Sequence, residues 1–228
     1  MDSRSDFLMV DARVEKLVAA VSNFPSIGPD PAKWPKWNGG WARADVALVD
    51  AVLSTRQPYS RTLATVEKWR IATEDIGDRE LAIFTELLNE ELGQILTERK
   101  LPGTTTLRRD GIVELAQILM TGPFNCRTGN EIRSRIKTKG DALEVRHAME
   151  SVKGVGPATS SYFLMLIGID GVKADSIVSR FVSDAVNEQL SQGEVETIVG
   201  VAAERFGSTR QALDYAIWDK APRMSHNR

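Results

Sequence analysis

Between Val152 and Arg180 the chain reads VKGVGPATSSYFLMLIGIDGVKADSIVSR, and this stretch restricts the fold most tightly. Gly154 and Gly156 flank a single valine, which predicts a tight turn with exposed backbone N–H groups. Pro157 suits the first turn of a following helix, where its missing N–H leaves no hydrogen bond unmade. The segment Ser160 to Gly168 is apolar nearly all round and predicts a helix buried in the middle of a domain. A Gly and Lys loop then delivers Asp175 to the start of another helix, where its simplest role is an N-cap. N–H groups at a turn that feeds a helix N-terminus attract an anion, and phosphate fits that chemistry.

The remaining periodicity is helical as well. Val10, Val14, Leu17, Val18 and Val21 recur at helical spacing, and Ala42 to Thr55 reads as a second helix. Ser60 to Ala72 follows, with Ser60 as its cap and Leu63, Val66 and Trp69 on one face. Arg79 to Leu96 reads as one helix, apolar at Leu81, Phe84, Leu87, Leu88 and Leu92. Leu101 to Thr106 is a turn, Asp110 to Met120 a helix, Glu131 to Thr138 a short basic helix or loop, and Asp141 to Ser151 the helix leading into the glycine turn. At the C-terminal side, Glu194 to Phe206 and Ser208 to Asp219 are separated by Gly207 as a helix stop, with Ser208 as the second cap. The last residues, Ala221 to Arg228, are expected to be loose. No segment reads as a strand, so the expected fold class is all-α.

Composition narrows the chemistry. At 228 residues the chain can form one large domain or two small lobes. No apolar run approaches the ~20 residues of a membrane span, and the start Met1-Asp2-Ser3-Arg4-Ser5-Asp6 lacks the features of a signal peptide. An intracellular protein with no membrane partner is expected. Cys126 is the sole cysteine, so an internal disulfide and a four-cysteine iron–sulfur cluster are both excluded. With only His147 and His226, a His-rich zinc site or a Ser–His hydrolase is poorly supplied. A carboxylate acting on water is the more available chemistry.

Net charge is −2, but its distribution is uneven. Residues 71–98 hold eight acids (Glu74, Asp75, Asp78, Glu80, Glu86, Glu90, Glu91 and Glu98) against Arg79. Residues 101–140 hold seven bases (Arg108, Arg109, Arg127, Arg133, Arg135, Lys137 and Lys139) against three acids. Such a split lets one side face DNA, and equally describes two solvated helix faces. Trp34, Trp37 and Trp41, interleaved with Lys33 and Lys36, either stack bases and touch phosphate or pin the Asn23 to Gly40 segment to the core.

The order Lys153-Gly154-Val155-Gly156-Pro157-Ala158-Thr159-Ser160, then Asp175, then Arg180, resembles the helix-hairpin-helix (HhH-GPD) DNA glycosylase superfamily, the endonuclease III and MutY-like enzymes. Its hairpin runs Leu-Pro-Gly-Val-Gly-x-Lys/Ser-Thr-Ala, followed at a fixed spacing by an aspartate and then an arginine. Leu53-Ser54-Thr55-Arg56 is similar to the family's Leu-Ser-x-Gln, with Arg56 in the place of the glutamine that fills the gap left by an extruded base. The departures are Lys153 for the usual proline, Ala158 for the Schiff-base lysine, and no histidine after Asp175. Motif-level likeness is confined to 53–56 and 152–180.

The resemblance implies a two-lobed all-α glycosylase fold, with approximately 56–175 as the central lobe carrying the hairpin and 1–55 with 176–228 as the other. It implies a monofunctional glycosylase that excises a damaged or modified base from double-stranded DNA, in which Asp175 is catalytic. Gly154, Val155, Gly156 and Lys153 would hold the DNA backbone, and Arg56 would enter the base stack. No metal and no cofactor follow from it, save a monovalent cation compatible with the hairpin; a monomer in the cytoplasm, associated with the nucleoid in a bacterium, is implied. Arg180 would support Asp175 or the backbone, or equally serve packing, and Lys153 and Lys173 are the amines that could in principle take the place of the missing Schiff-base lysine. Two other classes stay open: a non-catalytic helix-hairpin-helix DNA-binding module and a protein-interaction scaffold.

Overall fold

The computed structural model describes residues 3–37, 40–86, 88–96 and 99–221, the side chains of residues 3–10 excepted. The fold is all-α. Among the described residues the helices are α1 (Ser3–Asn23), α2 (Ala44–Leu53), α3 (Tyr59–Ala72), α4 (Ile83–Glu86), α5 (Glu90–Ile95), α6 (Arg108–Met120), α7 (Gly129–Arg135), α8 (Lys139–Glu150), α9 (Pro157–Leu166), α10 (Ser176–Val186), α11 (Gln192–Arg205) and α12 (Arg210–Lys220). A 3₁₀ turn occupies Pro31–Lys33, and an isolated antiparallel bridge joins Lys100 to Leu107. No described helix is long and apolar enough to cross a membrane.

The chain divides into two compact units, Met1–Asn38 with Asp170–Arg228, and Gly39–Ile169. The breaks fall at 38/39 and 169/170, against the 55/56 and 175/176 that the resemblance implies, so α2 packs with α3, α6 and α9.

The Gly39–Ile169 unit is built around two helices with no polar stripe. Every residue of α2 is buried, including Asp45 and Asp50, and α9 is buried from Thr159 to Leu166. The charge at Asp45 is tolerated because Arg43, Trp69 Nε1 (2.9 Å) and Thr73 all donate to it. Glu80 accepts from the backbone N–H groups of Ala44 and, at 2.8 Å, Gly129, so one carboxylate caps both α2 and α7. Burial pushes the Glu80 carboxyl up, against the two N–H groups that favour its charged form. At the other end of α9, Gly168 adopts φ +92, Arg133 donates to Ile167 O at 2.7 Å, and Trp41 N donates to Leu166 O at 2.7 Å.

The second unit packs α1 against α10 and α11, with α12 closing on α10 and α11. Its core is a mesh of Val14, Leu17, Val21, Val178, Val182, Ile198, Leu213 and Ile217. Trp34 joins this core, bonding Gly28 O through Nε1 at 3.0 Å and meeting Phe206 edge to face at 5.2 Å.

Four local expectations change. Arg79 to Leu96 is interrupted: Asn89 accepts from Leu92 N at 2.9 Å and starts a new short helix, α5. Leu87 lies outside the described residues. α3 begins one residue early, at Tyr59 after Pro58, so Ser60 is inside the first turn and caps nothing. Its buried stripe is Thr62, Val66 and Trp69, while Leu63 is 44% exposed. Thr209, rather than Ser208, caps α12, with Gly207 at φ +66 as the expected stop. Residues 222–228, including His226, fall outside the described residues.

Gly129 has a steric reason to be glycine. A Cβ there would lie 2.5 Å from Ala42 O, a backbone atom that cannot rotate away. Gly129→Ala is expected to lower stability by about 1–3 kcal/mol in chemical denaturation. Gly93→Ala, whose Cβ meets nothing within 4 Å, is the control and should leave stability unchanged or raised.

Candidate functional site

The glycine turn is a helix-hairpin-helix unit. α8 ends at Glu150, the turn runs through Val152–Gly156, and α9 starts on Pro157 at its first position. Val152 and Val155 are buried and anchor the turn, with Val155 N donating to Val152 O at 3.0 Å. Ser160 Oγ donates to Glu150 Oε1 at 2.6 Å and ties the two helices together. The glycines differ in kind. Gly154 has φ +94, and a Cβ on it would meet Thr104 Cγ2 at 2.8 Å and Leu101 Cβ at 2.9 Å, so folding requires glycine there. Gly156 has φ −113, and a Cβ on it would meet nothing within 4 Å. Folding places no such demand on Gly156. Among the described residues, the N–H groups of Gly154 and Gly156 meet no acceptor. Lys153 is exposed beside them.

Arg56 stands in the same unit, just past α2. It is exposed and left-handed, at φ 52, a conformation that strains a residue with a Cβ. The strain is held by Arg108, 3% exposed, whose guanidinium donates to Leu53 O at 2.9 Å and Thr55 O at 2.5 Å. Gln57 is fixed from both sides, donating to Thr62 Oγ1 at 2.7 Å and accepting from Arg99 at 3.3 Å. The Lys100–Leu107 turn links these parts, since Leu101 and Thr104 press on Gly154 while Arg108 follows the turn. The sequence counts Arg108 only among the bases of 101–140. One clue was present: a cation in the first turn of a helix opposes the macrodipole and calls for another partner.

Asp175 belongs to the other unit, where it is the N-cap of α10. Its Oδ1 accepts from Ile177 N at 2.9 Å and Val178 N at 3.1 Å. Its Oδ2 has no hydrogen-bond partner among the described residues. The preceding residue, Ala174, is left-handed at φ 47. Asp214, which sequence reading missed, lies under this loop on α12, 4% exposed. Its Oδ1 accepts from Lys173 N at 3.1 Å and Ala174 N at 3.2 Å. Burial pushes the Asp214 carboxyl from its ordinary 3.8 up to about 7, against the Ala174 N–H, with the Asp175 charge adding to the rise. The signal in the sequence was faint: a single acid on the apolar side of Leu213-Asp214-Tyr215-Ala216-Ile217.

The remaining candidates divide by use. Trp34 and Trp41 are structural: Trp41 Nε1 donates to buried Asp50 at 2.9 Å, and Trp37 meets Tyr215 edge to face at 5.3 Å. Arg133 caps α9, and Arg135 lies over the Phe124 ring at 5.8 Å, so part of the basic run serves the fold. His147 is exposed on α8, and Cys126 is buried with its thiol pushed up by burial. Among the described residues no group of three His, Cys, Asp or Glu is placed to hold a metal ion.

A family model for a domain of unknown function, DUF8548, matches residues 15–221. The chain belongs to the DUF8548 family. No curated protein matches it significantly. Among solved structures it is similar to the 8-oxoguanine DNA glycosylase of Thermotoga maritima, at 20% identity over 94% of this chain and 89% of that one, with a TM-score of 0.49. A likeness that distant assigns no activity.

The raised Asp214 carboxyl has a stability consequence. Because the folded state holds the proton more tightly than the unfolded chain, this contribution is complete below about pH 4, is lost as pH rises toward about 7, and levels off above. Asp214→Asn keeps an oxygen for the two N–H groups and removes the titration. The Tm difference between variant and wild type should therefore open in the variant's favour between about pH 4 and about pH 7. A constant difference across that interval would sink the assignment.

Proposed function

We propose that this chain is a monofunctional DNA glycosylase that flips a damaged or modified base out of duplex DNA and hydrolyses its N-glycosidic bond. The observation that carries the reading is the hairpin. Gly154 is needed to build it, whereas Gly156 leaves a bare stretch of backbone, with free N–H groups, that a phosphate can approach closely. Lys153 adds charge to that contact, and Val155 sets the turn's shape. Arg56, presented on a loop fastened by Arg108, suits insertion where a base has left the stack, and its guanidinium can bond the orphaned partner base.

The chemistry falls to Asp175. Cleavage breaks the C1′–N bond, and its electron pair leaves with the base. The sugar becomes cation-like, so a nearby carboxylate stabilises it electrostatically. A water then bonds to C1′ and gives up a proton, which Asp175 Oδ2 is free to accept. The products are a free base and an abasic site, and the proton balance closes on the departing base. Ala158 offers no amine for an imine, so the strand stays intact.

Base release from duplexes carrying damaged and modified bases, with abasic sites revealed by alkali, tests the proposal. The wild type is expected to release base, and Asp175→Asn to slow single-turnover release by ~10²-fold or more with DNA binding retained. Gly156→Ala should weaken DNA binding about tenfold at unchanged Tm, because its methyl group stands where a phosphate approaches. Cleavage without alkali would overturn the monofunctional assignment. Salt-sensitive DNA binding by both proteins with no release from any duplex would leave a non-catalytic binding module.

A further inference from the structure

We propose that Asp214 is the positioning residue for Asp175, holding the backbone that aims the catalytic carboxylate; this rests on the glycosylase reading above. Asp175 is delivered by a loop that could not keep its shape alone. Ala174, one residue earlier, is left-handed without being glycine or asparagine, and such strain persists only where the surroundings over-determine it. They do so here through three side chains and through burial. Asp214 accepts the N–H groups of Lys173 and Ala174, Gln192 Nε2 donates to Lys173 O at 3.3 Å, Ser179 Oγ donates to Ala174 O at 2.9 Å, and Ala174 itself is buried. At the loop's start, Asp170 accepts from Arg210 N (3.4 Å) and Gln211 N (3.1 Å), which fastens the loop to the first turn of the helix that carries Asp214.

Of these contacts, the Asp214 pair is the one in which a single side chain holds two successive backbone N–H groups. Two adjacent N–H groups point inward at a residue that is itself buried, and only a side-chain oxygen from α12 meets both. A buried carboxylate is a demanding choice for that task, since desolvation opposes its charge. Its return is geometric: one oxygen fixes two successive peptide planes, and the next residue is Asp175, whose Oδ1 is then locked onto the first turn of α10. With both ends fixed, Oδ2 has a defined direction. Asp214 touches no reacting atom, so it acts on the rate through Asp175.

The test compares wild type, Asp214→Ala and Asp214→Asn by single-turnover base release, DNA affinity, and amide hydrogen exchange at Lys173 and Ala174. Asp214→Ala should raise exchange at those two amides by ~10-fold or more while α11 and α12 stay protected. It should slow base release by ~10²-fold at unchanged DNA affinity, the loss expected of a carboxylate displaced by about an ångström. Asp214→Asn, which keeps an acceptor oxygen, should recover at least ~10-fold of that loss. Should Asp214→Ala fail to fold, Asp214→Ser, too short to reach both amides, carries the same comparison with Asp214→Asn. Wild-type protection of the two amides in the shortened variant, or wild-type release by it, overturns the proposal. If the wild type itself releases no base, the glycosylase reading fails on its own. The exchange experiment then still decides whether Asp214 holds the loop.

Discussion

A buried carboxylate bonded to two backbone N–H groups recurs as the joint of each unit. Glu80 takes the N–H groups of Ala44 and Gly129, and Asp214 takes those of Lys173 and Ala174. In both cases burial raises the carboxyl, so neither is there for easy charge stabilisation. What offsets the desolvation is the alternative, since each N–H left buried and unpaired costs about 1–3 kcal/mol. The arrangement is also directional, which apolar contact is not. Glu80 sets the starts of α2 and α7 in fixed relation. An entirely buried helix such as α2 could otherwise slide on its apolar neighbours without losing contact area.

The left-handed residues point the same way. Asn125 and Asn187 are of the residue type that enters the left-handed region most readily after glycine, and Asn187 simply ends α10. Arg56 and Ala174 have no such excuse. Each strained residue is matched by a buried charged side chain from another helix, Arg108 at two carbonyls for the first and Asp214 at two N–H groups for the second. Strain of this kind costs of order 1–3 kcal/mol and does not persist on a loop with nothing to hold it. That both instances border residues proposed to act on DNA, Arg56 itself and Asp175, fits the tendency of strain to gather where geometry matters more than stability.

What was legible in the sequence was local. The turn at Gly154–Gly156, Pro157 opening a helix, the apolar run of α9, Gly207 as a stop and Asp175 as a cap each depend on neighbours within a few residues, and the structure has all of them. Boundaries slipped where two adjacent residues could serve, as with Ser208 and Thr209. The Arg79 to Leu96 pattern read as one helix because its apolar spacing is continuous, whereas Asn89 bonding its own chain three residues on prevailed. Hidden altogether were the side chains whose partners lie far along the chain. Glu80 reaches across 36 and 49 residues, Asp214 across 40 and 41, and Arg108 across 53 and 55. Periodicity cannot register such pairs, because nothing at either end differs from a solvated charge.

The capping role of Asp175 and the catalytic role proposed for it are sometimes treated as rivals. The geometry makes them complementary. A carboxylate free to rotate would have to be ordered each time it met a substrate, and a cap removes that freedom in advance through Oδ1. The second oxygen is then surplus to folding. Gly156 stands in the same relation to Gly154: one glycine is required by φ and by the atoms of Leu101 and Thr104, and the other is not. In each pair the fold accounts for one member and leaves the other without a structural reason. A chain under no demand beyond stability has little cause to keep a bare glycine facing open space or an acidic oxygen with nothing to bond. On the glycosylase reading both are explained at once, the first by a phosphate and the second by the water that attacks the sugar.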